Sequence, residues 1–201
     1  MTPRPRRDGG VTAFAALLLA ALAAGRAGAA DDLATVAELD LARYMGAWHQ
    51  VAHLPNRFQD FCAGDTRADY SLRADGRVDV VNQCRDAAGE LHRAVGMARI
   101  NARYDDPARL EVRFAPAWLA FLPFVWGDYW ILALTPDYGA VLVGAPDRDY
   151  LWILARAPSL DAATYAGFVE RAAGAGFAVE RLVLEHDAAV LPATAPSRPR
   201  D

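Results

Sequence analysis

The side chains of this chain that could do chemistry are few and scattered. Its only cysteines are Cys62 and Cys84, and its four histidines are His49, His53, His92 and His186. A thiol nucleophile needs a base beside it, yet no His lies close in sequence to either Cys. The nearest, His92, falls on a different predicted strand. His49 and His53 stand four apart on what reads as a strand, facing outward with no acidic residue between them, so no zinc site is expected there. Asp105-Asp106 and Asp147-Arg148-Asp149 sit in turns, where carboxylates cap backbone N–H groups. A Gly-x-Ser-x-Gly nucleophile turn is absent, and a Gly-x-x-x-x-Gly-Lys phosphate loop cannot exist without Lys. Gly174-Ala175-Gly176 ends a helical pattern rather than opening one, so it is no dinucleotide fingerprint. No acid is paired with a base. The expectation is a binding protein without cofactor, metal or catalytic residue.

The chain has 201 residues, 54% of them hydrophobic, with 21 basic residues, all Arg, against 25 acidic ones. That balance offers no positive field for nucleic acid. Arg4, Arg6 and Arg7 precede an apolar run from Val11 to Ala24, and small residues follow up to Ala30. A basic start, a short apolar stretch and a small-residue exit form a secretory signal, too short to span a bilayer comfortably. Residues 1–30 are therefore expected to be a signal peptide, by the general or the twin-Arg route. Without them 17 Arg face 24 acidic residues, a net charge of about −7. In an oxidising compartment Cys62 and Cys84 read as a structural disulfide in preference to a reactive thiol pair. With no Cys before Cys62, free periplasmic residence is the expectation, with association to the outer membrane as its variant.

The elements that must position any site have period two. Alternating runs cover 48–54, 66–72, 78–84, 92–101, 110–114, 129–134, 140–143 and 150–156, with turn chemistry such as Asp75-Gly76 between them. No crossover helix intervenes, so the sheet must be antiparallel. A helix follows, with Ser159 its expected N-cap, Asp161 in its first turn, and an apolar stripe of Tyr165, Phe168, Val169 and Ala172. A short strand, 181–185, comes last, and the Pro- and Ala-rich residues 188–201 read as a disordered tail.

Eight meandering strands remove their open edges by closing into an up-and-down barrel, which can hold one small ligand. The fold class is thus all-β: an eight-stranded antiparallel barrel with one helix packed outside. Alternation points Ala68, Tyr70, Val80, Asn82, Leu110, Val112, Phe114, Ile131, Leu142, Tyr150, Trp152 and Leu154 inward. Such an interior suits a long-chain lipid, although aromatics such as Phe114 and Trp152 could equally fill the barrel.

Gly46-Ala47-Trp48, preceded by Leu41-Ala42-Arg43-Tyr44-Met45, resembles the lipocalin Gly-x-Trp motif. Asp137-Tyr138 resembles the second lipocalin motif, with Pro136 where Thr is usual, and Arg156 matches the third. The run from Asp147 to Pro158 is similar to the bacterial outer-membrane and apolipoprotein D-like branch of the family. The resemblance spans residues 39–187, placing a single domain at 31–187. It implies that Trp48 plugs the closed end with Arg156 stacked across it, and that function sits at the other end. There, loops 55–65, 85–90, 115–128 and 144–149 surround the mouth.

The ligand implied by the resemblance is a fatty acid or lysophospholipid, carried in cell-envelope lipid maintenance. Asn82, Tyr70 and Tyr150 are the candidates for holding its polar head; Arg57, in the first mouth loop, either meets a phosphate or carboxylate there or is a solvated loop charge. The loop 116–127 is strongly apolar and has three readings. It lines the entrance through Trp118, Phe121 and Trp126, it touches a membrane or a second subunit in a homodimer, or it is buried scaffold. The alternatives to a carrier are a barrel enzyme acting on a lipid-like substrate and a protein-docking module built on that loop.

Overall fold

The computed structural model describes residues 33–186 and 188–192. The expected signal peptide and the end of the chain lie outside them. A one-turn helix α1 (Leu41–Tyr44) leads into β1 (Gly46–His53). Then come β2 (Gly64–Leu72), β3 (Val78–Arg85), β4 (Leu91–Ile100), β5 (Arg109–Arg113), β6 (Gly127–Leu134), β7 (Ala140–Gly144) and β8 (Leu151–Ala155). Each pairs antiparallel with the next, and β8 pairs back onto β1, so the sheet closes into the expected eight-stranded barrel. The turn at Asp75-Gly76 works because Gly76 takes φ +79°, a left-handed conformation that costs a glycine nothing.

Three short strands lie outside this barrel. β9 (Ser159–Asp161) precedes helix α2 (Ala162–Gly174), β10 (Val183–Leu184) follows it, and β11 (Ala189–Leu191) comes last. β10 pairs with Ala52 and His53 at the far end of β1, beyond the Gly46–His49 stretch that pairs with β2. The β1–β2 seam thus parts toward the mouth, and β10 fills the gap. β11 pairs in parallel with β9. Residues 189–191, expected as the start of a disordered tail, are therefore ordered by strand pairing. Nor is Ser159 the N-cap of α2. Asp161 takes that place, its carboxylate accepting from the Thr164 N–H at 2.9 Å, because 159–161 is extended in β9.

Two apolar cores share the barrel wall. The outer one packs Leu142, Leu151 and Ile153 against Phe168 and Ala172 of α2 and against Phe177. The inner one gathers Tyr44, Trp48, Ile131, Val141 and Val143. Leu142 was expected inside and lies outside. Every residue of β7 is buried, because the helix covers one face and the lumen the other, so no polar position reveals the phase. Ile131 does face inward, but it packs into the inner core instead of lining the cavity.

Candidate functional site

The barrel encloses a cavity of about 710 Å3, open at the mouth. Tyr70, Val80, Asn82, Val112 and Trp152 line it, as the alternation of their strands dictates, and Phe114, Trp126 and Tyr150, just outside the strand ends, line it too. Trp118 and Phe121 do not. They are 73% and 78% exposed on the loop beyond the wall, whereas Phe124 of the same loop, 80% exposed, also lines the cavity at its mouth. The loop is thus neither buried scaffold nor a closed lid. Its anchor is Trp126, whose indole N–H donates to the Ala120 carbonyl at 2.9 Å and whose ring lies 4.0 Å from the Arg99 guanidinium.

The floor is built by α1 and the strand ends. Trp48, fully buried, donates its indole N–H to the Tyr44 carbonyl at 2.9 Å. Arg156 stacks 3.8 Å from the centre of that indole and donates to the carbonyls of Arg43, Tyr44, Ala47 and Tyr138. Gly46 makes room for it: with φ +97°, a Cβ there would sit 3.2 Å from an Arg156 nitrogen. Asp137 caps the Gly139 N–H at 3.0 Å, and the Tyr138 hydroxyl accepts from the Asp40 N–H at 2.9 Å. These two motif residues therefore brace the base and do not reach the cavity.

Above the indole sit three phenols. The Tyr129 hydroxyl is 2.7 Å from that of Tyr44 and 3.0 Å from that of Tyr70. Burial pushes the pKa of all three well above the ordinary phenol range, so each stays protonated. Tyr70 was expected near a polar head at the mouth, and it is at the floor instead. Its partner across the sheet is Gly46, the first residue of β1. Sequence reasoning missed Tyr44 and Tyr129, which lie at element ends where alternation has barely begun.

Higher on the wall, Gln50 and Glu185 are buried together, the Gln50 amide donating to the carboxylate. Thr66 of β2 donates to the other carboxylate oxygen at 2.9 Å, so Glu185 bridges the parted seam. Gln59, from the first mouth loop, donates to Gln50 at 2.9 Å and accepts from the Trp152 indole N–H at 3.0 Å. Gln50 was legible in principle, since it stands two residues from Trp48 on the same strand face. Asn82 lines the cavity with its buried side-chain oxygen lacking a hydrogen-bond partner. At the rim Phe58 stacks on Tyr150, which stacks on Trp152, and Arg57 lies 5.1 Å over the Phe58 ring.

Cys62 and Cys84 form a disulfide, also in the cavity wall. Gly64 pairs with Arg85 and Arg67 with Gln83, leaving Asp65 and Thr66 bulged between them and bringing the first mouth loop back to β3. Among the described residues, no three His, Cys, Asp or Glu side chains are grouped to hold a metal.

A lipocalin-like domain model matches residues 39–187. The chain belongs to the lipocalin family. This lipocalin is 39% identical over 152 residues to temperature-induced lipocalin-1 of Arabidopsis thaliana, covering 75% of this chain and 81% of that one. It is 36% identical over 151 residues to the outer membrane lipoprotein Blc of Citrobacter freundii, covering 74% and 79%. Against apolipoprotein D of Mus musculus the identity is 27% over 149 residues, covering 71% and 74%. Among solved structures, insecticyanin from Manduca sexta shares the lipocalin fold, with a TM-score of 0.60 at 19% identity, covering 82% of this chain and 93% of that one.

Proposed function

We propose that this lipocalin is an exported, non-enzymatic carrier of a single-chain lipid, a fatty acid or lysophospholipid, in the upkeep of the cell envelope. The observation that carries the reading is the cavity: about 710 Å3, sealed below by Trp48 and open above. That volume falls in the range of small-molecule sites, and burying an acyl chain contributes about 25 cal/mol per Å2 of apolar surface removed from water. Asn82, Arg57 and Tyr150 line the upper wall and rim, where the bulky head of a lysophospholipid would rest. An envelope location is supported by the likeness to an outer membrane lipoprotein.

The rim supports loading from a membrane surface. Phe58, Phe61, Trp118, Phe121 and Phe124 are all exposed, and all lie in loops at the mouth. Aromatic side chains clustered at one end suit transient insertion among lipid headgroups.

Native mass spectrometry of the protein purified from bacteria tests the reading. Co-purified fatty acid or lysophospholipid, or stoichiometric uptake of added lipid, is the expected result. A protein that emerges empty and takes up neither would overturn it, and an empty dimer would favour the docking alternative.

A further inference from the structure

We propose that the floor of the cavity is a polar subsite that receives a hydrogen-bond-accepting oxygen at the buried end of the ligand. The inference deepens the carrier reading and rests on it. It follows from counting donors. Tyr44, Tyr129 and Tyr70 own three hydroxyl protons, and among the described residues their hydroxyls hydrogen-bond only to one another, through two contacts. Whichever way those two bonds run, one O–H is left over: on Tyr70, on Tyr44, or on Tyr129 if both neighbours donate to it. All three side chains line the cavity. A buried donor without an acceptor is costly, and at this position the cavity is where an acceptor can come from.

A second observation sets the preferred charge of that acceptor. The Arg156 guanidinium sits behind the phenols, and its hydrogen bonds all go to neutral carbonyls. Among the described residues no carboxylate forms an ion pair with it. Its charge is felt at all three hydroxyls. A surplus donor in front of an unneutralised cation favours an electron-rich oxygen and disfavours a cationic group. A long-chain acid inserted carboxyl-first meets that description, as does a chain ending in a neutral hydroxyl. Both offer the same acceptor chemistry.

The test uses the full chain loaded with hexadecanoate labelled with 13C at the carboxyl carbon. With the carboxylate at the floor, its resonance stays sharp when a soluble gadolinium chelate is added. Replacing the three hydroxyls together (Tyr44→Phe, Tyr70→Phe, Tyr129→Phe) weakens hexadecanoate by about tenfold or more, the scale of one charge-assisted hydrogen bond. The same variant leaves hexadecyltrimethylammonium, whose head accepts no hydrogen bond, within about twofold. Hexadecanol separates the two sources. If it loses as much as the acid, any oxygen serves; if it binds weakly and loses little, the site is for carboxylate. A bleached carboxyl resonance in the wild-type protein overturns the subsite and leaves the carrier standing. Failure of the wild type to bind any of the three lipids overturns the carrier reading itself.

Discussion

Arg156 lies face-on to Trp48, 3.8 Å from the centre of its indole, although 108 residues separate them in the chain. The stack closes the barrel from below and ties β8 to β1 at the point where the sheet meets itself. Each partner is held by something else as well: Trp48 by the Tyr44 carbonyl, Arg156 by four carbonyls. Truncating Trp48 to Ala is therefore expected to cost about 3–5 kcal/mol, as deep aromatic truncations do. A chemical-denaturation midpoint equal to wild type would show that the indole does not seal the base. Arg156→Lys keeps the charge but loses the planar stack and most of the carbonyl bonds, and should cost about 1–3 kcal/mol in the same assay.

The disulfide closes a loop between residues 22 apart, Cys62 and Cys84. Constraining a loop of that length in the unfolded chain contributes about 2–4 kcal/mol. Cys84→Ser should lower the thermal midpoint of the oxidised protein toward that of reduced wild type. Equal midpoints for oxidised and reduced wild type would remove the bond from the stability of the fold.

The rim aromatics should matter for membranes and not for folding. Trp118, Phe121 and Phe124 have little packing to lose, so changing all three to Ser should alter unfolding free energy by about 0.5 kcal/mol or less per site. Co-sedimentation with phospholipid vesicles should fall sharply. Unchanged vesicle binding would assign membrane contact to another surface.

His53 gives a pH dependence with a definite sign. Burial lowers its pKa below 6.5, against a smaller opposing pull from Glu185. As pH falls below about 6.5, the unfolded chain takes up a proton here that the folded protein does not, so stability falls. Above 6.5 the contribution is fully present. The carboxylates held low by hydrogen bonds, such as Asp137 and Asp161, act in a separate, more acidic window below 3.8. His53→Gln should flatten the stability profile just below pH 6.5 without touching the acid limb. An unchanged slope in that window would exclude His53 as its source.

Much of this lipocalin was legible in the residues themselves. Period-two alternation marked the eight strands, because one face of most of them meets solvent and the other the lumen. The Gly46-Ala47-Trp48 motif and Arg156 marked the base, and the pairing of Cys62 with Cys84 followed from the count and the expected compartment. Alternation failed at β7, where helix and lumen bury both faces, and Leu142 came out on the wrong side. It also failed past residue 188, where β11 is ordered only by pairing with β9.

What the tertiary structure alone decided is convergence. Tyr44, Tyr70 and Tyr129 meet at the floor across separations of 85 and 59 residues, and Gln50 meets Glu185 across 135. A side chain's phase along its strand is a local property, set by the pleat and written in the order of apolar and polar residues. Which phenols share a layer of the barrel depends on strand register and closure, and those are settled only when β8 comes back to pair with β1.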